Sequence, residues 1–182
     1  MPTYIAFLRA VNVGKRKFGK EAIVRACEAA GCTDVATYIN TGNVRVTSPL
    51  RSRAKVEAAL EKAFEAEAGF EVRTIAFTPA ELIQVLADAT ELAGELPGAE
   101  AQYVSVLKEE PAADVVRRTE EAASAQDGEK LFVRGRAAHL LRKELAGYHS
   151  SRLGNDWVER RLGVATNRNL TVIRTLAERW GA

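Results

Sequence analysis

The chain has 182 residues, 47% hydrophobic and 27% charged, with a formal net charge of +2; this is the composition of a globular protein of one large or two small domains, and it excludes a disordered or fibrous one. The longest apolar stretches fall far short of the roughly 18 to 20 residues that cross a bilayer. Met1-Pro2-Thr3 leads into a strand with no basic-then-apolar export pattern, so a cytoplasmic location and no membrane partner are expected.

The run TYIAFLR alternates with a period of two and predicts a strand over 3–9. Phe18, Ala22, Ile23, Ala26, Cys27 and Ala30 then recur at helical spacing and stop at Gly31, a natural C-terminal cap. DVATYI and NVRVTS give strands over 35–39 and 43–48, joined by Asn40-Thr41-Gly42, where Asn and Gly accept positive φ at little cost. Ser52 is placed to cap a helix with the core stripe Val56, Ala59, Leu60, Ala63 and Phe64, ending at Gly69 before a strand over 71–77. Residues 1–78 therefore spell βαββαβ.

Thr78-Pro79-Ala80-Glu81 is a capping box with Pro at the first helical position, opening a linking helix to about Asp88 within a connection over 79–98. A strand over 102–108, a helix from about Pro111 to Ala125, and strands over 130–134 and 136–142 joined at Gly135 follow. Asn155 is expected to cap a helix that buries Trp157, Val158 and Leu162, and Asn169 the last helix, with Val172, Ile173, Leu176 and Trp180 on one face. Residues 99–182 read βαββαα, the final strand missing or too short to see. The expected fold is α+β: two ferredoxin-like (βαββαβ-type) repeats with antiparallel sheets, the second decorated by C-terminal helices. Seventy-odd residues is small for an independent core, so one compact unit is expected.

Charge is balanced overall but unevenly placed. Glu81 to Glu129 holds twelve acidic residues against three basic, Lys130 to Ala182 eleven basic against four acidic, and Arg9 to Lys20 five basic and no acidic one. Such a chain attracts anions on its basic side, nucleic acid included, although charge runs are commonly just solvated faces.

RAVNVGKRK, from Arg9 to Lys17, follows the first strand directly. In a βαββαβ unit the first and third strands pair antiparallel, so Arg9, Asn12 and Gly14 should meet Asn40, Gly42 and Asn43. A guanidinium, three side-chain amides and a loop with available N–H groups are the components of anion and polar-ligand sites. Taken alone, the Asn-rich hairpin is better accounted for as a simple turn, because Asn-rich turns are so common. GYHSSRLGNDWVERRLGVATNRNLTV, toward the C-terminus, puts Ser150, Ser151 and Arg152 before one helix and Thr166, Asn167, Arg168 and Asn169 before the next. Helix N-termini carry unpaired N–H donors and a partial positive charge, although Asn155 and Asn169 are accounted for as caps alone.

YIAFLRAVNVG, TYINTGNV and the C-terminal stretch closely resemble the bacterial family known as domain of unknown function 1697, whose members show LRGINVGG-like, TYIQSGNV-like and SKL…ERKLG…TTRNWNTV-like segments. The resemblance implies two ferredoxin-like repeats and brings no established activity. This chain has Ala10 and Lys15 where Gly is usual, Asn167 for Thr and Leu170 for Trp.

Catalytic signals are thin. The histidines are His139, inside a strand, and His149, beside Ser150, where adjacent side chains diverge and do not form a dyad. No carboxylate pair, P-loop or nucleophile elbow is present, and Cys27 and Cys32 have neither a second CxxC pair nor a His at ligand spacing, so no metal and no cofactor is expected. NTGNVRVTS lacks the exposed aromatics that stack bases in RRM domains. The reading that follows is a binding protein for a small polar or anionic, phosphate-bearing ligand at Arg9, Asn12, Gly14, Asn40, Asn43, Ser151, Arg152, Thr166, Arg168 and Asn169. RNA binding and an enzyme of unknown reaction are the alternatives.

Overall fold

The computed structural model describes residues 1–39, 42–143 and 151–182. Internal contacts divide the chain into two units, Met1–Leu82 with Arg179–Ala182, and Ile83–Glu178. Among the described residues there are eight strands in two four-stranded antiparallel sheets, and six α-helices.

The first unit holds β1 (Thr3–Leu8), α1 (Lys20–Ala29), β2 (Thr33–Tyr38), β3 (Asn43–Thr47), α2 (Arg53–Ala68) and β4 (Thr74–Phe77), with strand order β2-β3-β1-β4. Alternate strand residues Tyr4, Ala6, Leu8, Val44, Val46 and Ala76 pack with Ile23, Ala26 and Cys27 of α1 and Val56, Leu60 and Phe64 of α2. The opposite face of the sheet is also buried at Ile5, Phe7, Ile75 and Phe77, with Phe7 and Phe77 edge to face at 5.9 Å. The period-two alternation expected of this run is therefore not an alternation of buried and exposed residues: both faces of β1 lose water, and Tyr4 to Leu8 are all buried.

The second unit holds β5 (Ala101–Leu107), α4 (Ala113–Ala123), β6 (Glu129–Arg134), β7 (Ala137–Arg142), α5 (Asn155–Leu162) and β8 (Ala165–Asn169), with order β6-β7-β5-β8. It repeats the element and strand order of the first unit. Leu107, Leu131, Val133, Ala138, Leu140 and Ala165 face Ala123, Val158 and Leu162 across its core. The remaining helices are α3 (Pro79–Leu92) and α6 (Leu170–Trp180).

The capping box at the start of α3 forms in both directions: Thr78 N–H donates to Glu81 Oε2 at 2.7 Å, and Glu81 N–H to Thr78 Oγ1 at 3.2 Å. Four expectations need correction. The strand thought absent is β8; its sequence ATNRN has one apolar residue, so no alternation marked it. α3 runs on to Leu92, past Asp88. Asn155 is the first residue of α5 and not its cap, because its amide donates to the Ala165 carbonyl at 3.0 Å and Gly154 takes the cap position. Trp157 is half-buried, with the Arg161 guanidinium 3.8 Å from its ring centre.

Candidate functional site

The pairing of β1 with β3 does bring the end of one beside the start of the other: Phe7 opposes Asn43, and Leu8 N–H donates to the Gly42 carbonyl at 2.8 Å. Gly42 has φ +76°, and a Cβ there would lie 2.7 Å from Leu8 Cβ and 2.9 Å from Val11 Cγ2, so the position excludes every side chain. Asn43 is fully buried and donates its amide to the Tyr38 carbonyl at 3.1 Å. Asn40 and Thr41 lie outside the described residues.

Beyond Leu8 the chain forms an exposed loop with a fixed base. Asn12 Oδ1 accepts the Phe18 N–H at 3.0 Å while its Nδ2 donates to the Phe18 carbonyl at 3.3 Å. Phe18 is itself buried, edge to face with Phe64 at 5.5 Å and Phe70 at 6.4 Å. One amide therefore bridges both ends of a six-residue excursion and ties it to the core. Arg16 N–H closes a turn on the Val13 carbonyl at 3.1 Å, with Gly14 at φ +59°, and the Arg16 guanidinium lies 5.2 Å from the Phe70 ring centre. Val13, Lys15, Arg16 and Lys17 are exposed; Arg9 is half-buried. Two non-glycine residues near this end hold positive φ, Ala10 at +54° and Ile39 at +49°. For β-branched Ile39 that is a strained conformation, and its side chain is half exposed.

The C-terminal candidates belong to the second unit. Ser151 Oγ donates to Glu129 Oε2 at 3.1 Å and accepts the Leu153 N–H at 3.0 Å; Glu129 in turn holds Arg142 through a buried ion pair. Arg152 is exposed and lines a cleft of about 670 Å³ with Gln126, Gly128, Arg142 and Lys143. Thr166 and Arg168, expected in a loop before the last helix, lie in β8 opposite Val106 and Val104 and are buried. Arg168 Nη1 donates to Thr166 Oγ1 at 3.0 Å and to the Asn167 carbonyl at 2.7 Å, and burial lowers its pKa to about 10. Asn169 does cap α6, accepting the Val172 N–H at 2.8 Å, beside a cleft of about 370 Å³ shared with Tyr103, Thr171 and Arg174. His149 and Ser150 lie outside the described residues.

Two features escaped the sequence reading. His139 is wholly buried on the same face of its sheet as Arg168, both opposite Val104, and neither ring nitrogen has a hydrogen-bond partner among the described residues. Carboxylates on three helices also reach strand N–H groups: Glu57 and Glu61 of α2, Glu120 of α4 and Glu159 of α5. The signal that could have found two of them is the Glu57-Glu61 spacing of one helical turn, which puts both carboxylates on one face of α2. Cys27 is a buried thiol whose pKa burial pushes up, away from nucleophilic use. No three His, Cys, Asp or Glu among the described residues are grouped to hold a metal, and no helix among them is long and apolar enough to cross a membrane.

A family model described as "Protein of unknown function (DUF1697)" matches residues 1–139, which takes in the first two motifs and leaves the C-terminal one beyond it. No curated protein matches the chain. Among solved structures, the conserved bacterial protein SP0830 from Streptococcus pneumoniae is similar over 100% of this chain and 99% of its own, with TM-score 0.77 and 19% identity. At that identity the likeness concerns the fold alone.

Proposed function

The chain belongs to the DUF1697 family, described only as proteins of unknown function, and from that premise we propose that it binds an anionic, phosphate-bearing ligand at the basic loop between β1 and α1. The observation that carries this reading is the clamp of Asn12 on both backbone groups of Phe18. It holds Lys15, Arg16 and Lys17 in solvent at little further entropic cost to a bound anion, and Lys15 and Lys17 make no ion pair among the described residues. Asn12 and Asn43 act as positioning residues, Gly14 permits the turn, and Arg9 stands at the loop's base.

The two units, alike in element and strand order, are ferredoxin-like repeats in this reading, related by duplication. They supply an internal control. Leu107 N–H donates to the Arg136 carbonyl at 2.8 Å where Leu8 donates to Gly42, yet the loop that follows in the second unit is Lys108-Glu109-Glu110-Pro111. The fold does not itself require a basic loop at this position, so the charge in the first unit points to a ligand.

The test is calorimetric titration of the full chain with inorganic pyrophosphate and with a twelve-nucleotide single-stranded RNA. Lys15→Gln with Lys17→Gln is expected to weaken binding by about tenfold or more, the scale of one or two charge-assisted hydrogen bonds. Unchanged affinity in that variant, or no binding of either probe at millimolar concentration, ends the proposal. A shallow dependence of log affinity on log salt assigns a small anion; a slope of several charges assigns nucleic acid.

A further inference from the structure

The strand β6 lies at the edge of its sheet and pairs with β7 alone. Lys143 N–H donates to the Gly128 carbonyl at 2.9 Å, and this register turns the backbone groups of Lys130, Phe132 and Arg134 toward β7 and those of Glu129, Leu131 and Val133 outward. The Val133 N–H is taken by Glu120 Oε1 at 2.8 Å. The Leu131 N–H has no partner among the described residues. Two other edge strands are covered in this way: Glu57 and Glu61 take N–H groups of β4, and Glu159 one of β8.

A groove of about 330 Å³ opens along this uncovered part of β6. Leu96, Leu131 and Phe132 supply its apolar lining, while Glu95, Glu120 and Asp127 stand on it with negative charge. Lys130 Nζ is held by the Glu95 carbonyl at 2.7 Å, and Glu95 and Asp127 make no ion pair among the described residues. The groove runs on both sides of the strand, since Leu131 packs in the helix-covered core and its neighbours Lys130 and Phe132 point to the other face.

We propose that this groove takes an extended basic peptide segment, which adds to the edge of β6 as a further strand. A strand laid beside Leu131 sends its side chains alternately to the Glu120 side, where that carboxylate is shared with Arg134 at 3.7 Å, and to the side of Glu95, which has no ion pair among the described residues, with an apolar strip between them. Charge complementarity selects lysine and arginine, because the groove is lined by Glu95, Glu120, Asp127 and Glu129 against one basic residue, Lys130, with Glu120 shared with Arg134 and Glu129 with Arg142. Backbone pairing fixes the register and the carboxylates choose the partner.

The experiment titrates the full chain with a blocked hexapeptide alternating lysine and valine, and with the same peptide carrying glutamate for lysine. Backbone amide exchange at Leu131 is followed by NMR. The lysine peptide is expected to bind and to slow exchange at Leu131, and the Glu95→Gln/Asp127→Asn double variant to weaken that binding by about tenfold. Both substituted side chains are exposed, so the fold is left intact. No binding at millimolar peptide, equal binding of the glutamate peptide, unchanged affinity in the double variant, or binding without protection of Leu131 each overturns the proposal.

Discussion

Glu57 Oε1 accepts the backbone N–H of Ala76 at 2.8 Å, so an edge strand donates to a nearly fully buried helix residue. One turn on, Glu61 does the same for Thr74 at 2.9 Å, and in the second unit Glu159 does so for Ala165 at 3.0 Å. A carboxylate that accepts N–H bonds from an outer strand closes the edge against other chains and keeps its own charge solvated by protein dipoles. Glu57→Leu keeps the apolar bulk but strands a buried N–H, and is expected to lower stability by about 1 to 3 kcal/mol in urea denaturation. Glu57→Gln, which retains an acceptor, is expected to cost less; equal losses in the two variants sink the assignment.

Gly42 and Gly14 separate two reasons for glycine. Both have positive φ, but a Cβ at Gly42 meets Leu8 and Val11 below 3 Å while one at Gly14 meets nothing within 4 Å. Gly14→Ala is expected to cost about 1 kcal/mol, the strain of a left-handed L-residue, and Gly42→Ala clearly more, since the β1–β3 contact must also give. Equal melting temperatures for the two variants contradict this packing.

Most of the fold was legible where backbone conformation and side-chain chemistry agree. Gly42 and Gly135 marked hairpins, Thr78 and Glu81 a capping box, and Phe18 to Ala30 a helix, because in each the residue type has one dominant local use. Legibility failed where tertiary contacts reassign a residue. Thr166 and Arg168 look like loop chemistry yet serve as inward residues of β8, where pairing with β5 overrides their low strand preference. At the candidate site, the meeting of Leu8 with Gly42 followed from topology. That Asn12 spends its amide on Phe18 depends on a six-residue span that no spacing rule encodes.

Asn12→Ala tests the clamp. The Phe18 N–H loses its side-chain acceptor, so its amide exchange is expected to accelerate by at least about fivefold, the equivalent of a hydrogen bond of about 1 kcal/mol. Phe18 stays anchored by Phe64 and Phe70, so the melting temperature is expected to move little while pyrophosphate affinity falls. Unaltered exchange at Phe18 shows that the loop is held by other contacts.

His139 gives the chain a defined acid sensitivity. Burial is the main cause lowering its pKa from 6.5 to about 4; Asp88 opposes the shift and Arg134 adds to it. Between those two values the unfolded chain binds a proton that the folded chain does not, so stability rises with pH across that window and falls on acidification. The difference corresponds to about 3 kcal/mol, present in full above pH 6.5 and lost by pH 4. Carboxylates titrate in the lower part of the same range, so the comparison needs a variant lacking only the imidazole. His139→Leu removes two ring nitrogens that have no hydrogen-bond partner among the described residues and places an apolar side chain in a wholly buried position. It is expected to be at least as stable as wild type at pH 7 and to lose less stability between pH 6.5 and 4.5. Urea denaturation at several pH values measures both quantities. Parallel curves for the two proteins mean that His139 finds a way to carry its proton in the folded state.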